Sequence, residues 1–350
     1  MLLQENVVLG PLTTFKIGGS ARYFVEATSR SDVKEALAFA RVRDLPLFVL
    51  GGGSNLLVAD TGWPGLVLKV AIAGIERTGS DENGNPRFEV GAGEPWDRFV
   101  SHAVTAQCAG VECLSGIPGS VGATPVQNVG AYGQEVSETI ESVQVLDLRD
   151  GQVRELCAEA CGFGYRTSIF NTTERGRFII LRVTYALVPG GEPRITYADL
   201  QRHFAGREST PNLAETREAV RHIRARKGML IIPGDDDCQS AGSFFKNPVL
   251  SEPQHEELKK RASARGLQVP SFPALDMRKK VSAAWLVEHS GFARGYGFGH
   301  VGISRKHALA IVNRGGASAS EVIALKEQIQ NRVEEIWAVH LEPEPVMVGF

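Results

Sequence analysis

No stretch of this sequence approaches the roughly 18 uninterrupted apolar residues that a membrane-spanning helix needs. The opening Met1-Leu2-Leu3-Gln4-Glu5-Asn6 has no basic region leading into an apolar run. No membrane partner and no secretory leader are expected, and the default address is the cytoplasm. Cysteine is scarce and odd in number. The five residues, Cys108, Cys113, Cys157, Cys161 and Cys238, show no paired CxxC spacing with histidine partners, which argues against a disulfide framework or a zinc site and leaves structural or bystander thiols. Charge of one sign is missing too: 38 Lys and Arg stand against 40 Asp and Glu, a net charge of −2. No global positive field exists to gather nucleic acid, so any phosphate on a ligand must be met locally. The one acidic run, Asp235-Asp236-Asp237, lies in a Pro/Gly-flanked loop and is expected to be solvated; no metal is expected.

What is present is ordinary globular composition, 43% hydrophobic and 22% charged, enough to bury a sizeable core. A length of 350 residues predicts two or three packed units. The first segment reads as β-α-β. Tyr23-Phe24-Val25 is a short strand, Ser31-Asp32 caps a helix carrying Val33, Leu37 and Ala40, and Leu47-Phe48-Val49-Leu50 is a second strand. A second segment, roughly 71 to 225, opens with a helix over Trp96–Ala106 and has strands over Ile140–Leu148 and Phe178–Val188. Helical patterns recur at Ala214–Lys227, Glu252–Arg265, Val281–His289 and Ser320–His340, the last with Val322, Leu325, Ile329, Val333 and Ile336 on one face. With strands at Val301–Ser304 and Ala308–Val312 between them, the final segment predicts a smaller α+β unit.

Two glycine-rich segments stand out. Gly51-Gly52-Gly53-Ser54-Asn55 follows a strand, where glycines let backbone N–H groups approach a phosphate and Ser and Asn add donors. It matches neither the Walker nor the Rossmann pattern, and a tight structural turn is the alternative. The second runs from Ser115 to Gly133, SGIPGSVGATPVQNVGAYG, with only Gln127, Asn128 and Tyr132 as sizeable polar groups. So many small residues indicate close backbone approach to a flat ligand; a wandering loop is the bland alternative.

These motifs, followed by Gly164-Tyr165-Arg166-Thr167-Ser168-Ile169-Phe170 and Ala241-Gly242-Ser243-Phe244-Phe245-Lys246-Asn247-Pro248, resemble in type and order the UDP-N-acetylenolpyruvoylglucosamine reductase (MurB) family, in its longer type. The resemblance runs from Thr14-Phe15-Lys16-Ile17-Gly18-Gly19 to Leu341-Glu342-Pro343-Glu344. It implies an α+β protein: a two-part FAD-binding module of the vanillyl-alcohol-oxidase (PCMH) type, residues 1–70 and 71–225, then a smaller α+β substrate-binding domain, 226–340, and a C-terminal segment, 341–350, returning to the active site. It further implies dissociable FAD, NADPH as co-substrate, UDP-N-acetylglucosamine enolpyruvate as substrate, a monomer, and a place in cell-wall precursor synthesis. FAD contacts would come from Gly51, Gly52, Gly53, Ser54 and Asn55, from Gly119, Ser120, Gly122, Ala123, Thr124, Gln127, Asn128, Gly130 and Ala131, and from Ile180.

The resemblance also assigns the chemistry. Hydride addition to an enolpyruvyl β-carbon leaves enolate charge on the carboxylate and an α-carbon that needs a proton. Ser243 occupies the family's proton-donor position; read alone, it would be a helix or turn cap. Arg166 matches the catalytic arginine, whose forked donors suit a carboxylate gaining charge; a buried arginine paired with an acid is the alternative. Glu344 matches the catalytic glutamate, polarising the same oxygens when protonated or ordering Arg166. The next residues are Pro345-Val346 where the family more often has Val-Arg, which puts a neighbouring cofactor contact in doubt. Tyr197 resembles the substrate-loop tyrosine and Lys227 the phosphate-binding lysine, though Gly228-Met229-Leu230-Ile231-Ile232 replaces the family's Leu-Pro-Asp-Pro and lengthens the spacing to Ser243. Asn247, Tyr132 and His307 complete the expected substrate contacts; a lone histidine is otherwise a satisfied surface or core residue. The competing readings are an FAD-dependent oxidoreductase of this fold on another substrate, and a non-catalytic flavin or sugar-nucleotide binding protein.

Overall fold

The structure is a computed structural model that describes residues 1–350 except Leu275. The chain forms two compact units, neither contiguous in sequence. The first comprises Met1–Val7, Ala21–Gly53 and Pro64–Arg226; the second comprises Val8–Ser20, Ser54–Trp63 and Lys227–Phe350.

In the first unit, helix α1 (Arg30–Val42) starts at Ser29, not at the expected Ser31-Asp32. Asp32 is instead the third helical residue: Ser29 Oγ accepts from its backbone N–H, and its carboxylate accepts from the Ser29 N–H, a capping box that satisfies two end groups reciprocally. The helix buries Val33, Ala36, Leu37 and Ala40 in one core with Val25, Leu66 and Leu68. Its sheet has the order Leu3–Val8, Ser20–Ala27, Trp63–Val70, Leu47–Leu50, and the last two strands pair in parallel.

A second, antiparallel sheet has the order Val153–Cys157, Ile140–Asp147, Phe178–Ala186, Pro86–Gly91, Ile75–Ser80. Phe88, Val90, Val143, Val145, Val183 and Tyr185 bury against Phe99 and Trp96 of helix α2 (Trp96–Thr105). Helices α3 (Ala198–His203) and α4 (Leu213–Arg226) complete the unit, with Leu200, Ala219, Val220 and Ile223 packed around Tyr132 and Cys113.

The second unit is built on helices α5 (Glu252–Ser263), α6 (Ala283–Glu288) and α7 (Ala319–Trp337). On α7 the apolar face runs Val322, Leu325, Ile329, Val333 and then Trp337; Ile336, expected on that face, is only partly buried. The helix ends at Ala338, which takes the left-handed conformation (φ 53°) common one residue past a helix. Small antiparallel sheets lie beside these helices. The last strand, Val346–Val348, pairs in parallel with Leu56–Val58. Among the described residues no helix is long and apolar enough to cross a membrane, and all five cysteines are free thiols, with only Cys157 exposed.

Candidate active-site segments

Within the first unit the two glycine segments meet. A Cβ on Gly52 would lie 2.4 Å from the Gly119 Cα and 2.6 Å from the Ser120 N, so glycine there is required by loop-to-loop contact. Beyond the contact the second segment is held by its own backbone. Gly119 C=O accepts from Trp96, Val121 N–H donates to Glu94 and Gly122 N–H to Ala92. Thr124 is buried and shares a 2.8 Å hydrogen bond with the Tyr185 hydroxyl, while Gly119, Gly122, Ala123 and Gln127 stay half-buried. Ile180 is buried in the middle of its strand, opposite Val145.

Gly130-Ala131 pairs with Gln134-Glu135 across Tyr132 and Gly133. Both of those residues have positive φ, 50° and 87°, the requirement of a tight two-residue hairpin turn. Tyr132 is buried, its ring edge-on to Tyr197 at 5.3 Å, and burial pushes its hydroxyl pKa up to about 12. Tyr197 itself is exposed at the start of α3.

Arg166 sits at the tip of a similar turn: Gly164 and Thr167 exchange backbone hydrogen bonds across Tyr165-Arg166, and Arg166 has φ 56°. Its guanidinium donates to Gly130 C=O at 2.7 Å, and its own carbonyl accepts from the Asn171 amide. Asn128 joins this turn to the glycine segment. Its side-chain amide donates to Glu135 at 2.8 Å and to Gly164 C=O at 3.1 Å, and its Oδ1 accepts from Ser137 N–H. Ser168 Oγ adds a bond to Val126 C=O at 2.6 Å.

In the second unit, Ser243 and Glu344 are carried on neighbouring stretches of backbone. Phe244 C=O accepts from Glu344 N–H at 2.9 Å, and Lys246 N–H donates to Glu342 C=O at 3.0 Å. The side chains of Phe244 and Phe245 are buried beneath them, which leaves Ser243 half-buried at the edge. Asn55 is tied to the same place: its amide donates to Glu344 C=O and its carbonyl accepts from Val346 N–H. Ser54 C=O accepts from the Thr14 hydroxyl, which also donates to Ser240 C=O. Asn247 Oδ1 accepts from Ala283 N–H at 2.9 Å, at the start of α6.

Lys227 and Gly228 open the segment that departs from the family pattern. Gly228 has φ 65°, and a Cβ there would meet the Asp237 carbonyl at 2.8 Å. The acidic run that follows is engaged, against the expectation of a solvated run: Asp235 pairs with Lys306, Asp236 accepts from Gln239, and buried Asp237 accepts from Arg305 N–H. Cys238 holds the turn at Ile232 through its sulfur. His307 Nδ1 accepts from Leu309 N–H. Burial, with the positive charges of Lys227 and Arg294, pulls its pKa down to about 4.

Three residues beside the glycine segment were not singled out from the sequence: Asp97, Arg217 and Arg224. The signal was there in part. Arg217, Arg221 and Arg224 are spaced i, i+4, i+7, which puts three guanidiniums on one face of α4.

Comparison with known proteins accords with these segments. A family model described as FAD binding domain matches residues 21–156, and one described as UDP-N-acetylenolpyruvoylglucosamine reductase, C-terminal domain, matches residues 233–348. The UDP-N-acetylenolpyruvoylglucosamine reductase of Thermobifida fusca is 44% identical, over 99% of this chain and 98% of its own. That of Streptomyces coelicolor is 42% identical, over 99% and 90%. The crystal structure of UDP-N-acetylenolpyruvylglucosamine reductase (MurB) from Thermus caldophilus superposes with a TM-score of 0.64 at 29% identity, covering 99% of this chain and all of that one. With an FAD-binding domain ahead of a reductase C-terminal domain, and full-length relatives above 40% identity, this chain belongs to the UDP-N-acetylenolpyruvoylglucosamine reductase family.

Proposed function

We propose that this chain is a UDP-N-acetylmuramate dehydrogenase: it reduces UDP-N-acetylglucosamine enolpyruvate at the expense of NADPH, with non-covalent FAD as carrier. The observation that carries this reading is the bond from Glu344 N–H to Phe244 C=O, which holds Glu344 beside the residue following Ser243 in a chain alike over its whole length to reductases of this name.

The residues present fit FAD. Gly119, Gly122 and Ala123 offer a half-buried strip without bulky side chains next to Gly51, Gly52 and Gly53, which suits a flat ring system with a diphosphate. In this reading Ser120, Thr124, Gln127, Asn128, Gly130, Ala131, Ile180, Ser54 and Asn55 complete the cofactor contacts. Asn128 acts through its backbone, since its amide is committed to Glu135 and Gly164. When bound, FAD supplies hydride transfer between the nicotinamide and the enolpyruvyl β-carbon.

The chain's own residues do the rest. Ser243 delivers the proton to the α-carbon. The Arg166 guanidinium holds the substrate carboxylate as it gains enolate charge, an interaction stronger in the transition state than before it. Glu344 polarises the same oxygens. Tyr197, Tyr132, Lys227, Asn247 and His307 bind the sugar nucleotide, with His307 neutral near pH 7 because its pKa is pulled down to about 4. Residues 1–70 and 71–225 are read as the two halves of a PCMH-type flavin module, 226–340 as the substrate domain, and 341–350 as the segment that brings Glu344 to the site. The enzyme is a cytoplasmic monomer serving peptidoglycan synthesis, and through it cell shape and division.

The deciding experiment is anaerobic stopped-flow absorbance at the flavin band. NADPH should bleach the band, and UDP-N-acetylglucosamine enolpyruvate should restore it. Bleaching without recovery would redirect the search to another electron acceptor, and no flavin band after FAD is added would refute the flavin reading itself.

A further inference from the structure

One peptide residue of the glycine segment is held by side chains alone on both of its polar atoms. Gly116 N–H donates to Asp97 Oδ1 at 2.6 Å, and Gly116 C=O accepts from Arg224 Nε at 3.1 Å. Gly116 has φ 71°, a conformation that side chains rarely adopt, so the chain reverses there just before Ile117-Pro118. Asp97 is on the first turn of α2 and Arg224 near the end of α4; the glycine is clamped between two helices.

Each half of the clamp reaches further. Asp97 takes two hydrogen bonds from Arg217, at 2.6 and 2.9 Å, and one from Arg221 at 2.7 Å. Burial works against the Asp97 carboxylate, but the Arg217 and Gly116 hydrogen bonds and the charges of Arg217 and Arg221 outweigh it and hold its pKa below the usual range. Arg224 is buried, at 9% exposure, and also hydrogen-bonds the Tyr132 hydroxyl. Tyr132 in turn packs against Tyr197. One continuous run of bonds therefore leads from the carboxylate of Asp97 through Gly116 and Arg224 to the tyrosine pair.

We propose that Asp97 and Arg224 are positioning residues that couple the setting of the Gly116 end of the flavin loop to the setting of Tyr132, so that cofactor and sugar-nucleotide contacts are adjusted together. A carboxylate is needed at 97 because it must accept from a backbone N–H and two guanidiniums at once, and four acceptor directions allow that. A guanidinium is needed at 224 because one planar fork reaches the Gly116 carbonyl and the Tyr132 hydroxyl together, which an ammonium does poorly. The link to catalysis rests on the function proposed above; the mechanical coupling does not.

The test uses the full-length protein, loaded with FAD and also stripped of it, with Asp97→Asn, Arg224→Lys and the milder Arg221→Ala. Asp147→Asn is the control: Asp147 is a buried carboxylate of the same unit, likewise paired with two arginines, Arg154 and Arg177, with no bond to either glycine segment among those described. Hydrogen exchange should rise at least tenfold in Asp97→Asn at both 116–121 and 130–134, and by less in Arg221→Ala. Asp147→Asn should leave both segments unchanged while lowering the melting temperature. In the holoenzyme, the FAD dissociation constant and the KM for the enolpyruvyl nucleotide should rise together, each about tenfold, with Arg224→Lys affecting both. Exchange that rises at 116–121 alone, or equally in the Asp147 control, overturns the coupling. Coupled exchange in a protein that never takes up FAD leaves the coupling standing and sinks the function proposed for it.

Discussion

Asn128 supports Arg166 from below, and replacing it has a cost that the geometry lets one work out. The side chain is 1% exposed and makes three hydrogen bonds, one to a carboxylate. Asn128→Ala strips partners from Ser137 N–H and Gly164 C=O, and at about 1 kcal/mol for each neutral bond and about 1.5–2 for the charged one, the loss is about 3–4 kcal/mol. The backbone adds to it, since φ at 128 is 45° and the left-handed conformation, which Asn tolerates through local hydrogen bonds, costs alanine about 1 kcal/mol. Asn128→Gly should therefore lose the same bonds yet be about 1 kcal/mol more stable than Asn128→Ala. Against the usual total of about 5–15 kcal/mol both variants should fold. Because Gly164 closes the turn that presents Arg166, both should reduce flavin normally with NADPH and reoxidise slowly with substrate. Urea unfolding with stopped-flow on the same samples measures both effects. The reasoning is refuted if alanine costs less than about 1 kcal/mol, or if alanine and glycine are equally stable.

Ser243→Ala should leave NADPH-driven flavin bleaching nearly intact and slow substrate-driven recovery by several orders of magnitude, because only the proton donor is lost; an equal fall in both half-reactions would remove Ser243 from that role. Tyr197→Phe should weaken sugar-nucleotide affinity roughly tenfold with little change in kcat, read by titration of the holoenzyme, and an unchanged binding constant would take Tyr197 out of the substrate loop. His307 gives a pH signature. Its folded pKa, about 4, lies below the unfolded value of roughly 6.5, so between those limits the unfolded chain binds more protons and stability falls as the pH is lowered. His307→Asn, which keeps an acceptor for Leu309 N–H, should flatten the fall in melting temperature between about pH 6.5 and pH 4.

The elements legible in the sequence were those whose burial pattern is periodic. Helix α7 shows its face at every turn and Trp96–Thr105 likewise, while Leu47–Leu50 was readable instead as a short apolar run ending at glycines. The strand Ile75–Ser80 was not, because five of its six residues are exposed and an edge strand of that kind carries no apolar alternation. Trp63–Val70 is buried along most of its length, so it has no period either. Of the candidate site, the glycine segments and the motifs around Ser243, Arg166 and Glu344 were visible as residue types in order. What the chain order concealed was local commitment: the Asn128 amide also donates to Gly164 C=O, and the Asn247 Oδ1 also accepts from Ala283 N–H. Asp97 looked like any first-turn acid of a helix until its three cationic and amide partners were placed around it.

The parallel pairing of Val346–Val348 with Leu56–Val58 sets a schedule for synthesis on the ribosome. Leu56 is made long before its neighbour Val346. Closing a loop of that length costs conformational entropy before the contacts it allows can repay it, so this pairing forms slowly. A product ending at Pro345 would keep the Glu344 N–H bond to Phe244 C=O but lack the strand that fixes the segment just beyond it. The setting of Glu344 is thereby shared between two segments far apart in the chain.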